Sequence, residues 1–198
     1  PRPERMPVSS AQERMLVLDR LAETGVAYNY PLVFTVADGF DVDAFVRALA
    51  DVADRHETLR TVFPEHDGFT QHVLPAGTAV PVEVVDGAAS EVDDHIAASV
   101  AHRFDLAAEI PLRATVIRRD DGATTVVLLL NHIATDEWSD APLLRDLDHA
   151  YRTRRDQRPP RWDPLPVQYT DYTAWHHDLL ATVGDDQRAF WIDACAMH

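Results

Sequence analysis

The segment Asn131-His132-Ile133-Ala134-Thr135-Asp136-Glu137-Trp138-Ser139-Asp140 holds the residues best suited to chemistry. It directly follows TTVVLLL, residues 124–130, the most apolar run of the chain. Imidazole is the side chain best poised for proton transfer near neutral pH. A carboxylate four residues on, at Asp136, can turn back and pin the loop while His132 faces a cleft. The same spacing allows a second reading, a loop histidine and an aspartate that caps the helix starting near residue 141. HxxxD by itself does not separate the two. Other reactive side chains offer less. Cys195 is the single cysteine, which leaves no intrachain disulfide. His176 and His177 look like a metal pair, but adjacent helical residues face different directions, so both are expected to face solvent.

The elements that must position His132 follow from periodicity. Ser9 or Ser10, with Gln12 or Glu13 three residues on, reads as a capping box. It opens a helix that runs to about Glu23, with Met15, Leu18 and Leu21 or Ala22 on its inner face and Gly25 as its stop. Residues 32–36 read as a strand. Asp41 or Asp43 starts a second helix, carrying Phe45, Leu49, Val52 and Ala53 at helical spacing. Residues 69–74 and 80–85 read as short strands. Residues 92–104 read as a third helix with Ile96, Val100 and Phe104 four apart. Residues 112–118 and 124–130 flank Asp120-Asp121-Gly122 as a hairpin. The second of these strands is apolar on both faces and should be central. Residues 141–155 form a helix with Leu143, Leu144, Leu147 and Tyr151 inward. A Pro-rich stretch over 157–166 is extended. A helix over 169–180 follows, and another begins near Gln187. Pro1, Pro3 and Pro7 make residues 1–8 a linker, and such a beginning suggests a piece of something longer. The pattern is mixed α/β without a strict βαβ repeat.

Composition bounds the partners. The 198 residues carry 18 basic and 33 acidic side chains, a formal net charge of −15. All the basic residues are Arg, which fits the GC-rich codons of that residue. This charge argues against nucleic acid as the main partner. No run approaches the ~20 apolar residues of a membrane helix, and the first residues are no signal peptide. No membrane partner is therefore expected, and the default compartment is the cytoplasm.

Three further segments change the weight of the HxxxD pattern. They are Ser9-x-Ala11-Gln12-x-Arg14, the run RHETLRTVF over residues 55–63, and Tyr169-Thr170-Asp171-Tyr172-Thr173-Ala174-Trp175. Together with residues 131–139, in this order and spacing, they resemble the first four motifs of the condensation domains of nonribosomal peptide synthetases. Those motifs read SxAQxR, RHExLRTxF, HHxxxDGxS and YxDYAxW. RHETLRTVF matches at all nine positions. Phe104-Asp105-Leu106 with Pro111-Leu112-Arg113 is similar to the FDL…PLR stretch of the family. The resemblance runs from about Val8 to Trp191.

The resemblance implies an α/β fold of the chloramphenicol-acetyltransferase-like kind, a two-layer lobe with a mixed β-sheet covered by helices. Residues 9–198 would be the N-terminal lobe of a condensation-type domain that lacks its C-terminal lobe. It implies peptide-bond formation in antibiotic biosynthesis between two thioesters on carrier proteins. No cofactor would bind directly, since the substrates ride on the 4'-phosphopantetheine of donor and acceptor peptidyl carrier domains. The C-terminal lobe and a neighbouring adenylation domain would be the other partners. His132 would be catalytic. Asn131 stands where the family has its first His and would face packing, while Asp136 would be structural, paired with an Arg of this lobe or of the missing one. Glu137 replaces the motif Gly and sets a carboxylate near the site. Arg60, with Arg55, His56 and Glu57, would brace a helix end beside the loop. Ser139 would cap the helix or contact substrate, and Trp138 would pack or, as the other choice, contact substrate. The X-domain of glycopeptide synthetases, which recruits a cytochrome P450, has the same fold with Arg for the second His. Epimerisation domains share the motif. Heterocyclisation domains have Asp at the position of Asn131, and plant acyl-CoA transferases share HxxxD without RHETLRTVF.

Overall fold

Strand β7 (Thr124–Asn131) organises the molecule, because all eight of its residues are buried. A strand buried on both faces needs a layer on each side. In the computed structural model, which describes residues 6–21, 25–36 and 38–196, β7 lies between β2 (Asn29–Val36) and β6 (Leu112–Arg119). Both neighbours are antiparallel to it, and β5 (Val82–Gly87) adds to β6 in parallel, which makes the sheet mixed. The β6–β7 hairpin turns where expected, at Asp120-Asp121-Gly122. Asp121 Oδ1 accepts from Ala123 N at 3.1 Å, and Gly122 takes φ 87°, which suits a residue without Cβ.

One face of the sheet carries the main core. Val126, Leu128 and Leu130 pack with Phe45, Leu49 and Val52 of α2 (Val42–Arg55) and with Leu143, Leu147 and Ala150 of α4 (Asp140–Arg155). Each large side chain buried here contributes roughly 1.5–3 kcal/mol. Asp41 caps α2 by accepting from Ala44 N at 2.9 Å. Leu129 points the other way, into a second core with Val8, Leu16, Phe63, Phe104, Leu106 and Ile133. Helix α3 (Val92–Val100) lies on that side, with Ser99 Oγ 2.9 Å from Thr115 Oγ1.

Several expectations need correction. The linker was placed over residues 1–8, yet Met6–Pro7 form a strand, β1, on Gln71 and Thr70 of β4 (Thr70–Val73). A proline is tolerated there because β1 is an edge. Residues 1–5 lie outside the described residues. With β3 (Thr61–Val62), these strands form a second, three-stranded sheet in the order β1-β4-β3. Two-residue strands are too short to show a period. Helix α1 (Ser10–Leu21) turns Gln12 and Leu16 inward, and leaves Leu18 43% and Leu21 73% exposed. Gln12 can be buried because its amide donates to Gln71 Oε1, so a polar residue occupies a core position. Ala22 and Glu23 lie outside the described residues. At Gly25, φ is 61° and a Cβ would collide with the Arg103 side chain.

Helix α3 stops at Val100 and not at Phe104. Asn29 Nδ2 donates to the carbonyls of Val100 and His102, both at 2.7 Å, and so takes the orphaned helix-end acceptors. Leu144 lies outside the core, with Asp146 inside. The two helices expected after residue 169 are one, α5 (Tyr169–Ala196), which continues through Gly184. Thr170 and Thr173 are its buried residues, and Trp175, Phe190, Trp191 and Ile192 are exposed. No helix of the described residues is long and apolar enough to cross a membrane.

So much apolar surface on one helix favours association. The 198-residue chain alone is expected to self-associate in sedimentation velocity. Phe190→Ser combined with Trp191→Ser should shift it towards monomer, and a wild-type chain monomeric at high concentration would contradict this.

Candidate active site

His132 comes one residue after β7. Its backbone N donates to Tyr28 O at 2.8 Å, which extends the β2–β7 ladder by one step. Its Nδ1 lies 3.3 Å from Thr135 O. A carbonyl oxygen only accepts, so Nδ1 carries the proton and Nε2 keeps the lone pair of the neutral ring. No hydrogen bond to Nε2 is found among the described residues. The ring is half-buried and packs against Tyr30, with centroids 4.7 Å apart and planes at 56°. The Tyr30 hydroxyl donates to Asp140 Oδ2 at 2.7 Å. That hydrogen bond, then burial, then the negative charges of Asp140, Glu137 and Asp136 push the phenol above its ordinary pKa. The phenol therefore stays a donor.

The neighbouring motif residues divide by position. Asn131 is 2% exposed, lies on the opposite side of the strand, and accepts from Ile133 N with Oδ1 at 3.0 Å. Among the described residues no ion pair joins Asp136 to an Arg, and the carboxylate pins the loop through Ser139. Its Oδ1 accepts from Ser139 N at 2.9 Å and from Ser139 Oγ at 2.6 Å, while Asp136 N donates to Ser139 Oγ at 3.3 Å. This reciprocal box caps the short turn Glu137–Ser139. Ser139 therefore closes that turn, and its side chain makes no cap to α4. Glu137 is exposed, and Trp138 is 89% exposed, so the expected packing of Trp138 is absent. Arg60 points elsewhere than expected. Its guanidinium donates to Leu74 O and lies 3.9 Å from Glu57, so it ties the turn Glu57–Arg60 to the end of β4.

The brace beside the loop comes from Arg55 and His56. Both reach Asp146 Oδ2, from Arg55 Nε at 2.8 Å and His56 Nε2 at 2.9 Å. Burial alone would raise the Asp146 carboxyl, but the hydrogen bonds from His56 and Arg55, with their charges, hold it below the usual range. A pocket of about 120 Å³ opens here between His56, Thr58, Ala134, Thr135 and Leu143. The first and last motifs meet on the other sheet. Ser9 N donates to Gln12 Oε1 and Gln12 N to Ser9 Oγ, a capping box at the expected place. Tyr169 OH lies 2.9 Å from Ser9 Oγ, Gln71 Nε2 donates to Pro7 O, and His177 Nε2 donates to Val8 O. Gln168 bridges Arg55 O and Glu57 N, and Thr170 Oγ1 donates to Glu57 Oε2. His177 is thus bonded, and His176 stacks on Tyr172 at 5.6 Å. Among the described residues no cluster of His, Cys, Asp and Glu could hold a metal ion.

Tyr30, Asp140 and Asp146 escaped the sequence reading. A signal existed for Asp146, an acid three residues after Leu143 on a helix face otherwise apolar. Strand alternation places Tyr30, Leu32 and Phe34 on one face, but nothing in that pattern points to His132.

The chain has counterparts among known proteins. The model of the condensation-domain family matches residues 3–197. CymA of Salinispora arenicola, a probable nonribosomal peptide synthetase, is 44% identical over 99% of this chain, which spans 3% of that protein. The isonitrile lipopeptide synthase of Mycobacterium tuberculosis is 41% identical over 98% of this chain, which spans 8% of it. The X-domain from teicoplanin biosynthesis superposes with a TM-score of 0.89 at 31% identity, covering 96% of this chain and 43% of its own. The starter condensation domain of rhizomide synthetase, at 17% identity and a TM-score of 0.84, shares the fold. The chain belongs to the condensation-domain family of nonribosomal peptide synthetases and has the chloramphenicol-acetyltransferase-like fold.

Asp146→Asn should destabilise the domain by about 1–3 kcal/mol, since it weakens the acceptor that Arg55 and His56 share. The Asp146 contribution is complete above the unfolded carboxyl value of about 3.9. It is lost as pH falls through the lower folded value. Urea unfolding of both proteins should show the gap at pH 6 and its closure in acid; a gap that widens in acid would contradict the assignment.

Proposed function

We propose that this lobe forms part of a catalytic condensation domain, which joins two carrier-bound substrates by a peptide bond. The observation that carries this reading is the place of the His132 ring: Nδ1 lies 3.3 Å from Thr135 O just beyond a buried strand, which favours a proton on Nδ1 and a lone pair on Nε2. The acceptor α-amine attacks the donor thioester carbonyl. A C–N bond forms, the C–S bond breaks, and the amine proton passes through Nε2 to the leaving thiolate. An α-amine with a pKa near 8 is already partly neutral at pH 7. His132 therefore orients the amine as much as it deprotonates it. Donor and acceptor carrier domains present the substrates on 4'-phosphopantetheine, and an adenylation domain loads the acceptor. Asn131 and the box of Asp136 with Ser139 support the loop from beneath.

A second reading has its own support. The X-domain from teicoplanin biosynthesis has been solved in complex with OxyB, and it matches this chain at 30% identity with a TM-score of 0.91. Glu137, in place of the motif Gly, sets an extra carboxylate beside the loop. In that reading the domain makes no bond and recruits a cytochrome P450. His132 favours the catalytic reading, since recruitment has no use for a free Nε2.

The test is single-turnover peptide formation in the full synthetase, read by mass spectrometry of the carrier-bound product. His132→Ala should lower the rate on the order of 10²–10⁴-fold with folding intact. Asp136→Ala should lower rate and stability together, the latter by about 1 kcal/mol, as expected for a lost cap. Wild type that makes no peptide but binds a P450 tightly would favour recruitment.

A further inference from the structure

We infer that Tyr30 is a positioning residue for His132, and that Asp140 holds Tyr30 in that role. The inference deepens the condensation reading of this site, and its activity arm rests on that reading. Among the described residues, the one hydrogen bond of the His132 ring, Nδ1 to Thr135 O, is long at 3.3 Å. A contact of that length fixes the tautomer but restrains the ring plane weakly. The second restraint is the ring of Tyr30. Tyr30 lies opposite Leu130 in the β2–β7 register, and His132 is two residues beyond Leu130, so the two rings are diagonal cross-strand neighbours. Their centroids are 4.7 Å apart with planes tilted by 56°.

Tyr30 is itself fixed at its far end. Its hydroxyl donates to Asp140 Oδ2 at 2.7 Å, and Asp140 is the first residue of α4. A carboxylate is favoured there by the helix dipole. Asp140, Tyr30 and His132 thus form a chain that ties the start of α4 to the end of β7 across β2. Its effect grows during the reaction. Neutral imidazole gains little from an aromatic face, whereas the imidazolium formed on proton uptake is attracted to it. An interaction stronger in the transition state than in the ground state raises the rate and not only the affinity.

The experiment uses the full synthetase in single-turnover peptide formation. Tyr30→Phe keeps the ring and loses the hydroxyl; Asp140→Asn keeps the shape and loses the charge. Each should lower the rate by roughly threefold to tenfold, the scale of one weakened polar contact. The double variant should be no slower than the slower single one. Tyr30→Leu should be slower still. In a His132→Ala background, none of these changes should lower the rate further, because Tyr30 acts through His132. A full loss in that background, or wild-type rates for Tyr30→Leu, would overturn the inference. A second readout does not need activity. Acylation of His132 by diethyl pyrocarbonate, followed by peptide mass spectrometry, should become severalfold faster in Tyr30→Leu, with His149 unchanged as internal control. If wild type makes no peptide, the condensation reading fails and this labelling decides alone: an unchanged rate at His132 overturns the positioning role.

Discussion

Everything in this structure depends on the burial of β7 on both faces. Eight consecutive buried residues cannot be covered by one layer, so α2 and α4 pack on one face while α3 and the second core pack on the other. The strand has little freedom in register, because a slip by one residue would exchange the two cores. Its end is therefore a fixed point. Asn131 and His132 emerge there on opposite sides, one into packing and the other beside Tyr30. The loop that follows needs little to hold it, and the box between Asp136 and Ser139 suffices.

The motif residues mostly build the frame around that point. Ser9, Gln12 and Tyr169 bring the first and last helices together over Gln71. Arg55 and His56 converge on Asp146, and Gln168 takes the backbone groups left over where α2 ends. A family pattern spread over the chain thus reports mainly hydrogen bonds among buried polar groups. Such groups are costly to leave unpaired, which limits what can stand at each position. Within RHETLRTVF, Arg55, His56, Arg60 and Thr61 are hydrogen-bonded inside the structure, and Leu59, Val62 and Phe63 lie in its cores.

The sequence revealed the parts that rest on long periodic segments. The central strand, its hairpin, α2 with its Asp41 cap and the Ser9–Gln12 box lie where the pattern placed them. It misled where a polar residue takes a core position or where strands are very short. Gln12 and Asp146 are buried because their partners, Gln71 and the pair Arg55 and His56, are distant in sequence. The β1-β4-β3 sheet leaves no period to read. At the site, His132 was legible as a histidine after an apolar strand. The capping role of Asp136, the exposure of Trp138 and the part of Tyr30 depend on how the chain turns after residue 132, and no local signal encodes that turn.

The catalytic reading of His132 depends on Thr135 O holding the ring proton on Nδ1 and leaving the lone pair on Nε2. The most direct test is the ¹⁵N chemical shifts of His132 in protein labelled at histidine, at a pH where the ring is neutral, with His132→Gln for assignment. Nδ1 should be protonated and pyrrole-like, and Nε2 unprotonated and pyridine-like. The reverse pattern, with the proton on Nε2, would contradict it.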